Sequence, residues 1–412
     1  MPKIASLFVI SAVAVRIFSA DEPPLEWIEP ATGHKVIRLS REPGTASLYF
    51  HQNAYSADGK RLIVTTPSGI SAIHLETRAI EPVVSGRVNV LVTGRKTGSI
   101  YFIRDGSVHA ADLDTKGSRE IAKIPFGARG GNIAINADET LLVGIATDPE
   151  GKPAPREVPQ SAQGDRLARR WSAGTPMVLY TVDLKSSEVK RLHTSNDWLN
   201  HLQLSPTDPN QIMLCHEGPW HFVDRVWLIR TDGAGLTSVH PRTMDMEIAG
   251  HEFFSADGKT VWYDLQTPRS QVFWLAGYEI STGQRTWYRL ERQEWSVHFN
   301  SSPDGKLFAG DGGGPNSVAN RDHQSRALDP PGNGQWIYLF RPEMLRMTGL
   351  ATQSGSLIKT GVLKSERLLD LAKHNYNLEP NVTFTPDGKW IVFRSNMHGP
   401  THVYGVEVEK SR

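Results

Sequence analysis

One short phrase recurs six times along the chain and constrains its fold more than any other feature. Each copy carries an Asp two or three residues after a Ser, Asn or Thr, and four copies continue with Gly-Lys. This combination supplies the backbone angles of a tight hairpin turn, so each phrase is expected to join two antiparallel strands. The copies are Ser56-Ala-Asp58-Gly-Lys60, Asn136-Ala-Asp138, Ser205-Pro-Thr-Asp208, Ser255-Ala-Asp257-Gly-Lys259, Ser302-Pro-Asp304-Gly-Lys306 and Thr385-Pro-Asp387-Gly-Lys389.

The spacing of the phrases gives the length of the repeating unit. Asp58 and Asp138 are 80 residues apart, which is two units of about 40 residues, the length of a four-stranded propeller blade. A degenerate copy at residues 95–98 fills the gap and brings the count to seven. The last phrase leaves room for only three strands, and residues 36–39 are the obvious donor of the fourth. The sequence therefore predicts an all-β, seven-bladed β-propeller closed by an N-terminal strand.

Charge and composition narrow the choice of ligands. Glycine (36) and proline (26) are frequent along the whole chain, as many tight turns require. Lys and Arg number 45 against 44 Asp and Glu, and no basic block stands out. A nucleic-acid or membrane-surface partner is therefore not expected. An acidic ligand would have to be held by a few local cations.

The N-terminus has the pattern of an export signal. Lys3 precedes an apolar run of about 12 residues, which is too short to span a bilayer, and small residues ending at Ala20 follow. We therefore expect a signal peptide over residues 1–20, and a single propeller domain over residues 21–412. The expected location is the periplasm or the extracellular medium, with no membrane contact once the signal is removed.

A ring of polar side chains is expected on the innermost strands. In a propeller the first strand of each blade lines the central channel, so residues at one fixed offset before each turn face a common axis. Four positions before the first residue of each phrase, the chain has Gln52, Asn132, His201, His251, His298 and Asn381. We call these six residues the inner ring. Structural hydrogen bonding could explain any one of them, but three imidazoles at one position favour a divalent metal site or proton transfer.

Residues 215–225 form a second group of candidates. His216 and Trp220 are suited to sugar binding, since an indole can stack on a sugar face. Arg225 can form a forked pair with a carboxylate. A half-buried hairpin with a structural ion pair is the alternative for this segment.

Further candidates precede and follow the later inner strands. Lys373, His374 and Glu379 come just before Asn381. Glu379 is two residues ahead of Asn381, so the two side chains are expected on the same strand face. Asp311 fits either a ligand or an ordinary turn.

Several longer phrases resemble those of the oligogalacturonate lyases, a family of polysaccharide lyases. The resemblance runs from about residue 30 to residue 408, and its most specific parts lie at residues 216–225 and at His251. The phrases are His216-Glu-Gly-Pro-Trp220 with Asp224-Arg225 and Trp227, Gly250-His-Glu-Phe253 with Asp257-Gly258, His298-Phe-Asn300 with Ser302-Pro-Asp-Gly305 and Gly310-Asp-Gly312, and Tyr49-Phe-His-Gln-Asn53.

The resemblance implies a propeller that cleaves pectin-derived oligogalacturonides by metal-assisted β-elimination. It implies a bound Mn²⁺ or another divalent cation and a small acidic oligosaccharide as substrate. Carried over by position, His251 is the base, Arg225 assists beside it, and His298 is a metal ligand. The expected substrate-binding residues are His51, Gln52, His201, His216, Trp220 and Lys373.

The chain departs from the family at the remaining metal ligands. Glu379 and Asn381 stand where the family has two further histidines, and Tyr376 stands where it has a glutamine. Carboxylate and amide oxygens also bind manganese, so Glu379, Asn381 and the nearby His374 complete the expected ligand set.

Two other functions remain open at this point. Exported propellers also serve as non-catalytic scaffolds that bind proteins, and the turn phrases occur in those too. A lyase acting on another uronic-acid glycan is the second alternative. The propeller part of a serine peptidase is excluded, since no Gly-x-Ser-x-Gly phrase is present.

Overall fold

The structure, a computed structural model, describes residues 22–127, 133–158, 165–314, 317, 335–345 and 357–410. The expected signal peptide, residues 1–20, lies outside this part of the chain. The regular secondary structure of the described residues is mainly β-strand, with one α-helix, α1 (Arg166–Ser172), and two 3-10 helices, Pro125–Gly127 and Arg292–Glu294. None of these helices has the length and apolarity to cross a bilayer. The predicted all-β class is confirmed.

In the first half of the chain, strands that follow one another in sequence form the same sheet. Two short strands come first, β1 (Glu26–Ile28) and β2 (Lys35–Arg38). Four antiparallel sheets of four strands each follow in chain order. Their strands are β3 (Ala46–Ser47), β4 (Arg61–Thr66), β5 (Gly69–His74) and β6 (Ile80–Ser85); β7 (Asn89–Thr93), β8 (Ser99–Arg104), β9 (Ser107–Asp112) and β10 (Ser118–Lys123); β11 (Ile133–Ile135), β12 (Leu141–Thr147), β13 (Met177–Asp183) and β14 (Val189–Ser195); and β15 (Trp198–Leu204), β16 (Gln211–Glu217), β17 (Val226–Arg230) and β18 (Thr237–Ser238).

The next eight strands form one sheet made of two antiparallel halves. The first half is β19 (Ile248–Phe254), β20 (Thr260–Gln266), β21 (Phe273–Glu279) and β22 (Arg285–Leu290), and the second is β23 (Phe299–Ser301), β24 (Phe308–Gly310), β25 (Trp336–Met344) and β26 (Lys359–Asp370). A parallel contact between β22 and β26 joins the halves, with Thr286 opposite Lys359. The pairing of β26 with β25 starts at Gly361. Lys359 and Thr360, the first two residues of β26, lie before it and pair with β22.

The last sheet brings the two ends of the described chain together. It contains β27 (Thr383–Phe384), β28 (Trp390–Ser395) and β29 (His402–Glu407), followed by β2 and β1. Val36 of β2 lies opposite Val406 of β29, and both are fully buried. The prediction that residues 36–39 pair with the last sheet is confirmed. Strand β1 adds a fifth strand that the sequence did not predict.

The recurring phrases form the predicted hairpin turns, as the one between β23 and β24 illustrates. The Ser302 hydroxyl donates to Asp304 at 2.7 Å, and the same carboxylate accepts the Lys306 backbone N–H at 3.1 Å. Gly305 has a φ of 70°, a left-handed conformation that glycine adopts at little cost. Each phrase thus forms the turn that joins the first two strands of its unit.

Apolar cores lie between neighbouring sheets. In one of them Val143 and Leu179 of the β11–β14 sheet pack with Leu214 and Ile229 of the β15–β18 sheet, and all four are fully buried. Face-to-face packing of successive sheets holds their first strands next to one another. The first strands β15 and β19, the residues between β3 and β4, and the residues before β23 and β27 carry most of the candidate site.

Candidate active site

Two β-bulges orient histidines on neighbouring first strands. The pairing of β15 with β16 shifts register between Asn200 and Gln203, and that of β19 with β20 shifts between Gly250 and Phe253. His201 (φ 45°) and His251 (φ 42°) lie in these bulges with left-handed backbones. A bulge redirects the side chain of its extra residue, and histidine tolerates a positive φ better than most residues. The two histidines therefore occupy equivalent positions in successive sheets.

The four histidine side chains of this region form one cluster. The ring centroid of His251 is 4.9 Å from that of His298 and 6.5 Å from that of His201. His51 lies 6.3 Å from His201. Tyr49 lies among them, with its ring 5.0 Å from His51 and 5.1 Å from His298. The inner-ring histidines thus converge, as predicted, and His51 and Tyr49 join them.

Two amide side chains of the inner ring form hydrogen bonds with the backbone at Tyr49 and Phe50. The Gln52 side-chain oxygen accepts the Tyr49 N–H at 3.1 Å, and the Asn381 oxygen accepts the Phe50 N–H at 3.1 Å. These bonds hold the backbone that carries Tyr49 next to the histidines. Asn132, the remaining amide, lies outside the described residues.

His251 forms a dyad with a buried carboxylate. Its Nδ1 lies 3.0 Å from Oδ1 of Asp264 on β20, and Asp264 is fully buried. A carboxylate accepts hydrogen bonds, so Nδ1 carries the proton and Nε2 keeps its lone pair. Gly250 makes this approach possible, because a Cβ there would lie 2.9 Å from Asp264 Oδ1 and 3.2 Å from Trp220. His251 is therefore oriented as a base that presents Nε2.

His298 forms a second dyad, with Asp311. Its Nδ1 lies 2.8 Å from Asp311 Oδ2, and its backbone N–H donates to Oδ1 of the same carboxylate at 2.8 Å. Its Nε2 lies 3.2 Å from the Tyr49 hydroxyl and 3.8 Å from Glu379 Oε2. Asp311 is thus a partner of His298, and Nε2 points toward oxygen atoms suited to a cation.

The expected position of Glu379 relative to Asn381 is wrong. Strand β27 begins only at Thr383, and Asn381 has a φ of 58°. Because alternation of side chains requires extended backbone, the two residues do not share a face. Asn381 is fully buried, whereas the Glu379 side chain is 45% exposed.

Two expected metal ligands already have protein partners. Asn381 uses its oxygen for Phe50, as described, and its Nδ2 donates to the Glu379 carbonyl at 3.0 Å. His374 has Nδ1 2.9 Å from the Ser395 hydroxyl and Nε2 2.7 Å from the Leu378 carbonyl. A cation could bind His374 only by breaking one of these bonds, because both ring nitrogens are engaged, whereas the Asn381 oxygen keeps a second lone pair. Among the described residues, no three His, Cys, Asp or Glu side chains form a closed metal centre.

Arg225 lies buried between two carboxylates. Its Nη1 donates to Glu217 Oε1 at 2.6 Å and its Nε donates to Glu252 Oε2 at 3.1 Å. Its guanidinium carbon is 5.1 Å from the centre of the Trp220 ring, and the Trp220 N–H donates to Glu217 at 3.1 Å. Trp220 in turn lies 5.3 Å from the His251 ring. Arg225 therefore helps to hold the Trp220 indole, which we call the Trp220 wall, beside His251. Asp224 does not pair with its neighbour Arg225 but with Arg242.

Two other candidates lie away from the histidine cluster. His216 stacks on Trp227 with ring centroids 4.8 Å apart, and its Nδ1 is 3.2 Å from Asp197. Lys373 is exposed, and its charge adds to burial in lowering the pKa of His398. No hydrogen bond or ion pair of the described residues joins either side chain to the inner ring.

Protonation separates His251 from the other histidines. Burial lowers the pKa of His201 and of His51 to about 3 and holds the pKa of His298 well below its usual range. Burial also acts to lower the pKa of His251, but the hydrogen bond and the charge of Asp264 outweigh it and raise the pKa. His251 is therefore the member of this cluster best suited to accept a proton.

Comparison with known proteins places the chain in a family. The sequence profile of the oligogalacturonate lyases matches residues 26–412. The chain belongs to the oligogalacturonate lyase family. It is therefore an enzyme of the polysaccharide lyases, which are carbon–oxygen lyases.

Relatives from two bacteria agree with this membership. The oligogalacturonate lyase of Dickeya dadantii is 25% identical over 406 residues, covering 93% of this chain and 95% of the relative. The oligogalacturonide lyase of Pectobacterium atrosepticum is 26% identical over 410 residues, with the same coverage of both chains. The similarity therefore extends over nearly the full length of each protein.

Solved structures of oligogalacturonate lyases share the fold. One, in complex with manganese, has a TM-score of 0.74 and 23% identity. Another, from Vibrio parahaemolyticus, has a TM-score of 0.74 and 20% identity. Each comparison covers 93% of this chain and 96% of the other chain. The family's fold is thus retained at low sequence identity.

The sequence did not reveal two partners of the predicted site residues. Asp264 stands in the apolar strand β20, where a lone carboxylate signals a buried partner. Glu252 follows His251 directly, and the bulge places its carboxylate on Arg225. Neither pairing could be read from the sequence, because each depends on how neighbouring strands pair.

Proposed function

We propose that this chain cleaves oligogalacturonides by β-elimination, with His251 as the base. The observation that carries the proposal is the His251–Asp264 dyad, set in a cluster of neutral histidines in a member of the oligogalacturonate lyase family. We also propose that the antiparallel units of the fold are the seven blades of a propeller, with this cluster in its central channel.

The reaction suits the residues of the cluster. In a galacturonide the C5 proton is α to a carboxylate and weakly acidic, so its removal needs a positioned base and neutralisation of the growing charge. His251 Nε2 takes the proton, and the imidazolium formed is stabilised by Asp264 3.0 Å from Nδ1. The bond from C4 to the glycosidic oxygen then breaks as the C4–C5 double bond forms, and the leaving oxygen takes up a proton from solvent. No water nucleophile is required.

We propose that His298 Nε2 and the Glu379 carboxylate hold a divalent cation. Asp311 fixes the His298 ring through Nδ1, an arrangement typical of metal-binding histidines. An imidazole nitrogen and a carboxylate oxygen are ligands that manganese accepts. A relative bound to manganese supports the choice of this metal. When bound, the cation would neutralise the substrate carboxylate as negative charge develops.

Arg225 is assigned a supporting role in this proposal. Its two buried carboxylate partners occupy Nε and Nη1, so it stabilises the Trp220 wall beside His251. A direct contact between the Arg225 guanidinium and the carboxylate of the uronate stays a prediction.

We also propose that the enzyme is exported to the periplasm or the medium. The export-signal pattern of residues 1–20 supports this location, which would expose the enzyme to pectin fragments.

The test is an elimination assay on the full-length protein. Purified protein is incubated with digalacturonate and trigalacturonate, with and without Mn²⁺ after treatment with a chelator, and the ultraviolet absorbance of the conjugated product is followed. We expect the absorbance to rise with galacturonides and to depend on Mn²⁺. Oligomers of other uronic acids are tested in parallel. A folded protein that yields no unsaturated product from any uronide would overturn the proposed function.

Asp311→Asn tests the proposed cation site. The substitution replaces the carboxyl group that accepts from the His298 ring and backbone, so the ring loses its orientation and we expect Mn²⁺ affinity to fall by about 10- to 100-fold. Free Mn²⁺ is measured by electron paramagnetic resonance, independently of activity. Asp304→Asn, in an exposed turn, is the matched control and should bind Mn²⁺ as the wild type does. Unchanged affinity in a folded Asp311→Asn protein would place the cation elsewhere.

A further inference from the structure

Helix α1 carries exposed arginines and packs against Gly218 and Trp198, next to Glu217. Arg166, Arg169 and Arg170 lie within its seven residues and are exposed. None of them forms an ion pair with a carboxylate of the described residues. We propose that Arg170 binds the carboxylate of the second uronate of the substrate, the sugar that does not lose its C5 proton. This inference rests on the proposed function and specifies its substrate subsite.

The position of Arg170 is defined by an aromatic contact. Its guanidinium carbon lies 3.6 Å from the centre of the Trp198 ring. Trp198 begins strand β15 and pairs with Glu217 on β16. Glu217 is the residue that binds Arg225 and Trp220 beside His251. A chain of contacts through Trp198, Glu217 and Trp220 therefore links Arg170 to His251.

Helix α1 is fixed against the same hairpin. Trp171 packs on Gly218, where an added Cβ would lie 2.9 Å from the indole. The Asp165 carboxylate caps the helix by accepting the Leu167 N–H at 2.6 Å. After the helix, the Asn196 side chain donates to the Gly174 carbonyl at 2.9 Å. The helix that carries Arg170 is thus fixed by packing and capping, which lowers the entropy lost when Arg170 binds a ligand.

Charge explains why the substrate needs this arginine. An oligogalacturonide carries one carboxylate on each sugar, so a second sugar brings a second negative charge toward the site. The nearby carboxylates Glu217 and Glu252 are buried, and both are bound by Arg225. Arg225 therefore has little charge left for the substrate. A guanidinium without a carboxylate partner binds a uronate in a forked, charge-assisted geometry.

The experiment combines a substitution with a change in the substrate. Wild type, Arg170→Gln and Arg170→Lys are assayed with digalacturonate and with its ester that lacks only the second carboxylate charge. Arg169→Gln is the control on the same helix. We expect Arg170→Gln to raise KM for digalacturonate by about 10- to 100-fold, the loss of one charge-assisted hydrogen bond, with kcat within about threefold. Arg170→Lys should recover part of the loss, because it keeps the charge.

The ester identifies the partner of Arg170. If the inference is correct, the ester raises the wild-type KM by a similar factor and Arg170→Gln adds nothing further. Equal losses of Arg170→Gln on the acid and on the ester would overturn the inference, as would an unchanged KM in that variant while the wild type is active. Wild-type protein that neither binds nor cleaves any uronide would instead overturn the proposed function, and the inference with it.

Discussion

His251→Asn should lose elimination activity on oligogalacturonides by about 10²- to 10⁴-fold, the contribution typical of a general base. Asparagine is chosen because residue 251 has a φ of 42°, and asparagine tolerates the left-handed region far better than most residues. The bulge should therefore survive, and the loss reports the missing imidazole. The measurement is kcat/KM from the ultraviolet absorbance of the product.

Two measurements separate chemistry from folding and metal binding in this variant. Because His298 bonds to Asp311 and not to His251, Mn²⁺ affinity should stay within about threefold of wild type. His216→Asn removes another partly buried imidazole, one that pairs with Asp197 outside the cluster, and should keep most of the activity. Elimination that continues at the wild-type rate in His251→Asn would require another base.

The strand order could be predicted because the sequence repeats its own turns. Each Asp-Gly phrase carries the hydrogen bonds of its turn within five residues, so the turn can be recognised without knowing the rest of the fold. The pairing of residues 36–39 with the last sheet followed from counting strands. Equivalent positions before the turns then gave His201, His251 and His298, which the structure brings together.

The prediction failed where the backbone leaves the strand. The shared face of Glu379 and Asn381 presupposed an extended chain, and the left-handed Asn381 breaks the alternation. Counting residues also could not reveal that His374 has both nitrogens bonded to protein. Asp264 was missed because its contact with His251 crosses from one strand to the next. Site partners of this kind depend on register, which short phrases do not specify.

Helix α1 shows a different limit of prediction from the sequence: a helix can be recognised locally, but its position in the fold cannot. The segment from residue 148 to residue 171 is rich in Pro, Arg and Gln, a composition typical of a surface loop. Its end contains Asp165, a helix-capping residue, followed by good helix formers. The local signal for a short helix was therefore present. Its position against Gly218 and Trp198 was not predictable, since it depends on tertiary packing.

Asp264→Asn should combine a large loss of rate with a shift in pH dependence. An asparagine can donate its N–H to His251 Nδ1, which moves the imidazole proton to Nε2 and removes the lone pair that accepts the substrate proton. In serine protease triads the corresponding Asp-to-Asn change costs about 10⁴-fold. We expect a loss of at least about 10²-fold in kcat, with a smaller change in KM. The change in KM should be small because substrate binding does not depend on which nitrogen of His251 carries the proton.

The sign of the pH shift follows from the causes of the His251 pKa. Burial lowers this pKa and Asp264 raises it above the usual value for histidine. The wild-type base is neutral only above that raised pKa, so activity should fall as the pH drops through it. Without the carboxylate, burial dominates and the pKa falls, so the acidic limb of the residual activity of Asp264→Asn should move to lower pH. A limb that stays in place would mean that a group other than His251 controls the rate.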